Sequence, residues 1–213
     1  LDIVTSLADA NNFCRFAGGE VANLATNLSR LGYQVRLASC LGEDGFGNFL
    51  QKHLSSAGID ISLLQIYPDA PTTLIPISRQ TKTPDFSIYR GADQYLSLND
   101  ALLAAGQEAG AIHTSAFALS RDPSRRTILR IIQENRRNGT VISLDPNYHP
   151  GIWPDQIDFL SRFKDILGLV TITKPSLDDS ARIFGPGLDP VDYLERFLDL
   201  GPEIVVLTMG EAG

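Results

Sequence analysis

Short apolar runs alternate with amphipathic segments along most of this chain, and that alternation narrows the fold more than any other feature. "VRLASCLG" (Val35 to Gly42) is an apolar run of strand length, and "FGNFLQKHLSSAGID" after it has helical spacing with Gly58 as a C-terminal stop. "AIHTSA" reads as a strand, "DPSRRTILRIIQENRRNG" as a helix with Pro123 in its first turn and Gly139 past its end, and "TVISLD" as a further strand. "LGLVTIT" and "EIVVLTMG" continue the series, with the helically spaced "SLDDSARIFG" and "PVDYLERFLDLG" between them. Strands and helices in this order predict an α/β fold, doubly wound, with a mainly parallel sheet and helices on both faces. The 213 residues, 43% of them apolar, suffice for one core, so residues 1–213 are expected to form a single domain.

One stretch departs from the alternation. "LLQIYPDAPTTLIPISRQTKTPDFSIYRGADQYL", residues 63–96, has no helical period and carries two β-rich pieces, "TTLIPIS" and "DFSIYR", around a polar turn. The pattern predicts a small antiparallel ribbon, either a lid projecting from the α/β body or an edge hairpin of the main sheet.

Composition excludes several classes. A net charge of −7 and a pI near 4.9, with no cluster of Lys and Arg, argue against nucleic acid as a partner. Cys14 and Cys40 form no ligand spacing, so neither a zinc site nor a disulfide framework is expected, and a reducing, cytoplasmic setting follows. No apolar run reaches the length of a membrane span.

The stretch "GGEVANLATNLSRLG" places a glycine pair, Gly18 and Gly19, directly before a helix whose Val21, Leu24, Leu28 and Leu31 share one stripe. Asn23 falls off that stripe in the first turn, beside backbone N–H groups that a helix start leaves free. A phosphate loop needs G-x-x-x-x-G-K-[ST] and a dinucleotide site needs G-x-G-x-x-G; neither occurs here. Two readings remain for the glycine pair, a plain turn and the floor of a binding site.

These residues resemble the first signature of the ribokinase family, the PfkB carbohydrate kinases: a Gly-Gly pair, an Asn four residues later and a closing Leu-Gly, here Gly18, Gly19, Asn23, Leu31 and Gly32. The motifs around it follow the same order. "LDIV" precedes it, and "LGEDGFGNFLQKHLSSAGID", "YRGAD", "LDPNYHPGIWPD", "TKPSLDDSARIFG" and "VVLTMGEAG" follow. The similarity spans nearly the whole chain and looks closest to the fructokinase and 2-keto-3-deoxygluconate kinase branch.

The resemblance implies phosphorylation of a sugar hydroxyl by ATP with Mg²⁺, and admits a monovalent cation as well. The family's sugar contacts fall on Asp2, Gly18, Gly19 and Asn23, groups that accept from and donate to adjacent hydroxyls. Arg90 is expected either to cover the sugar or to be a solvated arginine of the ribbon. Asp145 and Asn147 of "LDPN" end a strand, on the side of an α/β sheet where ligands collect, although Asp-Pro-Asn is also an ordinary turn sequence. Many fructokinase-like relatives place an Arg two residues after this Asn; this chain has His149. The family's Asn-x-x-Glu motif falls on Ser176 to Asp179. Asp179 retains a carboxylate for a magnesium held through water, while Ser176 as an N-cap explains the same residues without metal. Lys174 is expected to face phosphate, and Thr208 and Gly210 to approach the nucleotide.

The family's catalytic base is an Asp in a Gly-Ala-Gly-Asp motif, which does not occur between Leu1 and Gly213. The resemblance therefore implies that no catalytic residue lies in this chain, that the expected Asp lies beyond Gly213, and that the sequence is incomplete at both ends. His53, His113 and His149 are the only conventional alternative bases, and no Ser or Cys pattern supports a triad. Two expectations follow: a carbohydrate kinase whose 213-residue portion alone is inactive, or a non-catalytic sugar-binding or regulatory module of the same fold. A homodimer through the lid is a further implication of the resemblance.

Overall fold

The computed structural model describes residues 6–78 and 85–212. Asp2, the rest of the opening "LDIV" and the polar turn of the ribbon lie outside the described residues. The chain divides into two compact units, Leu1–Leu96 and Ser97–Gly213.

In the first unit, helix α1 (Glu20–Arg30) starts from Gly19 and is followed by strand β1 (Ser39–Gly42) and helix α2 (Gly45–Ser56). Strand β2 (Leu64–Tyr67) pairs parallel with β1. The core gathers Ala25, Leu37, Leu54 and Ile59, with Val21 and Ala22 packed against it. The face of α1 that packs is therefore Val21, Ala22 and Ala25, one step around from the leucine stripe; Leu31 is 74% exposed. Ala25 allows close approach, and the Ser29 hydroxyl on the same side donates to the carbonyl of Ala57 at 2.8 Å.

The predicted ribbon pairs as an antiparallel ladder, β3 (Ile77–Ser78) with β4 (Asp85–Phe86), extended by a bridge from Leu74 to Tyr89. Its first residues behave differently from the sequence expectation for 63–96, because Leu64–Tyr67 belongs to the parallel pair. After the ribbon a short turn of 3-10 helix, Ala92–Tyr95, stacks Tyr95 on Tyr67 with ring centroids 4.3 Å apart.

The second unit is built on a parallel sheet in the order β5 (Ala111–Ser115), β6 (Val141–Asp145), β7 (Ile172–Thr173) and β8 (Ile204–Val205). The connections are helical: α4 (Ser124–Arg136), α5 (Gln156–Leu167), then α6 (Leu177–Phe184) and α7 (Pro190–Leu198), with α3 (Asp100–Glu108) ahead of β5. Ile142, Leu144 and Thr173 lie on the fully buried face of the sheet. Alternate residues, His113, Ser143 and Asp145, point to the opposite face. Helix α5, with Phe159, Phe163 and Ile166 at i, i+4 and i+7, has no counterpart in the sequence expectation, and neither has α3. Phe159 anchors an aromatic cluster with Tyr148, Trp153 and Phe163, and the Trp153 indole N–H donates to the carbonyl of Ala116. That cluster fixes the path of the segment just after Asp145.

Candidate active site

Gly18, Gly19 and Asn23, expected from the sequence to meet a sugar, sit at the turn that opens α1. Gly19 has φ +107°, a conformation L side chains rarely adopt, and Gly18 and Gly19 are both exposed at the head of α1. Asn23 is exposed one turn along, with its backbone N–H on the Gly19 carbonyl at 2.8 Å. An oxygen-rich ligand laid over this helix start would meet backbone N–H groups and an amide side chain together.

Arg90 is not a solvated arginine. Its guanidinium meets the Asp93 carboxylate at 2.5 Å, with the two side chains only 13% and 19% exposed. Asp93 is itself held: the Thr73 hydroxyl bonds to it, and the Gly91 N–H reaches both Thr73 Oγ1 at 2.9 Å and Asp93 Oδ1 at 3.3 Å. The base of the ribbon is locked beside it. Asp44 accepts from the Gly47 N–H, the Thr72 N–H and the Thr72 hydroxyl, and the Gly42 N–H donates to Thr72 Oγ1. Burial alone would raise the Asp44 pKa, but the bonds from Thr72, Gly47 and Phe46 together bring it below the ordinary value. Gly42 and Gly47 of "GEDGFG" thus serve this junction.

In the second unit, residues from three strand ends converge. Asp145 ends β6 and meets Lys174 Nζ, just beyond β7, at 3.4 Å. Ser176 forms a bridge with Thr208, just beyond β8, whose carbonyl accepts from the Leu177 N–H at 2.9 Å. Gly210 follows with φ +61°. Asp145 is pushed above the usual aspartate range by burial, which outweighs Lys174, and the Asp179 charge adds to the rise. Asn147 is exposed at the turn with φ +29°, a left-handed conformation for which asparagine is among the better-suited side chains.

The start of α6 is a capping box. Ser176 Oγ accepts from the Asp179 N–H at 3.0 Å, and the Asp179 carboxylate takes the Ser176 hydroxyl at 2.6 Å and backbone N–H at 3.3 Å. The N-cap reading is present in full, and Asp179 is buried. Among the described residues no group of three or more His, Cys, Asp or Glu side chains converges as a metal cage. Asp145 and Asp179 supply a different donor set: two carboxylates within electrostatic reach, which suits a hard cation that keeps its own waters.

Two histidines lie near these strand ends. His113 on β5 does have a serine partner: Nδ1 lies 3.0 Å from Ser143 Oγ, directly across the ladder. Burial, reinforced by Lys174, lowers its pKa to about 4, so it is a weak base with a cation rather than a carboxylate beside it, which is not triad chemistry. His149, in place of the expected Arg, accepts the Gly151 N–H on Nδ1 at 3.0 Å, and burial followed by Arg182 lowers its pKa too.

Residues 3–213 match the model of the pfkB family carbohydrate kinases. The chain belongs to that family. It is 34% identical to the ATP-dependent 6-phosphofructokinase of Thermoanaerobacterium thermosaccharolyticum over 96% of this chain and 63% of that protein. It is 28% identical to the 5-dehydro-2-deoxygluconokinase of Photobacterium profundum over 98% of this chain and 65% of that protein. Among solved structures, the fructokinase of Halothermothrix orenii superposes with a TM-score of 0.90 at 38% identity, covering 99% of this chain and 74% of that one. The pfkB chain described here therefore spans just under two thirds of the length of these curated relatives. Among the described residues no helix is long and apolar enough to cross a membrane.

The pairing of Arg90 with Asp93 has a sequence signal, an acid three residues after the Arg in "YRGAD". The contribution of Thr73 has none, because its contact closes over a 20-residue separation.

Proposed function

We propose that the whole protein is an ATP-dependent carbohydrate kinase that transfers the γ-phosphoryl group to a hydroxyl of a small sugar. The observation that carries this reading is the convergence of Asp145, Lys174, Ser176, Asp179 and Thr208 at the strand ends of the second unit, in a chain of the pfkB family. Lys174 offers its charge to phosphate oxygens, Asp145 and Asn147 border that side, and Thr208 and Gly210 approach the nucleotide. Asp145 and Asp179 would hold a magnesium ion through its waters, and that ion would neutralise phosphate charge. Asp2, Gly18, Gly19, Asn23 and Arg90 take the sugar. The protein works in the cytoplasm as one ribokinase-like domain, with the ribbon as its lid and as the contact in a homodimer.

The names of the relatives span three substrate chemistries: a neutral sugar, a sugar acid and a sugar phosphate. A coupled assay of ADP release by the full-length natural protein, over a panel of ketoses, aldoses, sugar acids and sugar phosphates, tests the reading. Sugar-dependent ADP release is the expected result, and its absence across the panel with intact, folded protein overturns it.

A further inference from the structure

The Arg90–Asp93 pair bears on which of these chemistries the protein accepts. A guanidinium that selects an anion presents its donor fork and its charge to the ligand. Arg90 instead directs its Nη2 at the Asp93 carboxylate, at 2.5 Å, in surroundings that leave the two side chains only 13% and 19% exposed. Asp93 is not free to swing aside, because Thr73 Oγ1 and the Gly91 N–H both bond to its Oδ1. The Ala92 N–H on the Pro71 carbonyl, at 2.8 Å, closes the same loop from the other strand. A substrate carboxylate or phosphate brought to Arg90 would meet a fixed carboxylate at the same place, and like charges so placed repel each other. A hydroxyl meets no such conflict, since it donates to a carboxylate and accepts from a guanidinium with the same oxygen.

The geometry points to a neutral sugar as the substrate, selected against sugar acids and sugar phosphates by an Arg90 whose charge Asp93 already balances, with Thr73 as the residue that positions Asp93. This rests on the reading above that Arg90 faces the sugar. A second observation runs the same way. Two residues after Asn147 this chain carries His149, whose Nδ1 is occupied as an acceptor for the Gly151 N–H. An imidazole in that role is uncharged, so His149 itself brings no positive charge to an anionic substrate.

The test uses the full-length protein with ATP and three probes: fructose, 2-keto-3-deoxygluconate and fructose 6-phosphate. The expected result is a higher kcat/KM for fructose than for either anion. In Asp93→Asn the ratio of kcat/KM for the anions to that for fructose should rise by about tenfold or more, the equivalent of relieving one unfavourable charge contact. Because both substrates are assayed on one preparation, that ratio is independent of the folded fraction. Thr73→Val, which removes only the hydroxyl, should move it the same way by less. Preference for an anion by the wild type, or an unchanged ratio in Asp93→Asn, overturns the charge selection and leaves the kinase reading standing. No turnover of any probe, in a protein that also fails with the wider panel, overturns both.

Discussion

Asp44 and Asp145 stand at comparable places, one just past the end of β1 in the first unit, the other closing β6 in the second, and their surroundings treat them in opposite ways. Asp44 is surrounded by donors. It accepts from Gly47 at the start of α2 and twice from Thr72 at the base of the ribbon, and these bonds carry its pKa below the ordinary value against the opposing effect of burial. Asp145 has one cation at 3.4 Å, a second carboxylate within reach, and a pKa that burial raises. The first acid is consumed in making the fold; the second is held at a cost at a strand end, where the proposed function gives its charge a use. Perturbation in both directions, read with its causes, separates an acid that builds from an acid that serves.

The sharpest way to break the comparison is at the junction that Asp44 secures. A Cβ at Gly91 would lie 1.9 Å from the Pro71 carbonyl oxygen and 2.9 Å from its carbon, both backbone atoms that cannot rotate away. Gly91→Ala is expected to destabilise by about 3 kcal/mol or more, at the upper end of overpacking effects, measured by urea denaturation. Asp44→Ala comes next. It removes the N-cap of α2 and strands the buried Thr72 N–H, for an expected loss of about 2–3 kcal/mol. Because the folded pKa lies below the unfolded one, this contribution is fully present above the ordinary value of 3.8 and fades as pH falls through the folded pKa. Wild type and variant should therefore differ by a constant amount near neutrality and converge in acid.

Asp145→Asn should show the opposite pattern. A carboxyl whose folded pKa is raised contributes most when protonated, and that contribution is lost as pH rises from 3.8 through the folded value. The amide removes a desolvated carboxyl group while giving up the pairing with a half-exposed Lys174. Stability at pH 7 is expected to stay level or rise by up to about 1 kcal/mol, while kcat/KM of the full-length protein falls at least about tenfold. Denaturation midpoints and the coupled assay on the same sample check both halves; a marked loss of stability would place Asp145 with Asp44 as a builder.

The two acids also differ in how far the sequence exposes them. Strands β5 and β6 are legible as short strand-length segments between helically spaced ones, so the position of Asp145 at a strand end is legible too. Its elevated pKa is not, because Lys174 lies 29 residues away and reaches it only through the register of β6 with β7. The bond from His113 to Ser143 is hidden for the same reason. Helix α5 has no place in the sequence expectation although its capping Asp155 and its Phe159, Phe163 and Ile166 spacing are plain. Asp44 sits in a stretch that reads as a glycine-rich turn. Only the folded chain brings Thr72 to it from 28 residues away. Local periodicity therefore reveals elements, while the chemistry of a carboxylate depends on partners that periodicity does not reach.

The smallest expected effect concerns Ser176, where the two kinds of acid meet in one motif: Asp179 builds the capping box and also stands near Asp145. Asparagine and serine are about equally good N-caps, so Ser176→Asn should change stability by no more than about 0.5 kcal/mol. Its amide oxygen can accept the Asp179 N–H that Ser176 Oγ now accepts at 3.0 Å, and its NH₂ can donate to the Asp179 carboxylate in place of the hydroxyl. The substitution thus keeps the helix start and restores the residue expected at the head of the family's Asn-x-x-Glu motif. If this position acts only as a cap, both the melting curve and the kinetics of the full-length protein remain those of the wild type. If it orders water around the magnesium that accompanies ATP, the KM for ATP and its dependence on magnesium shift while the KM for sugar does not. The second outcome is expected, since the carboxylate that caps α6 is the one whose charge already reaches Asp145.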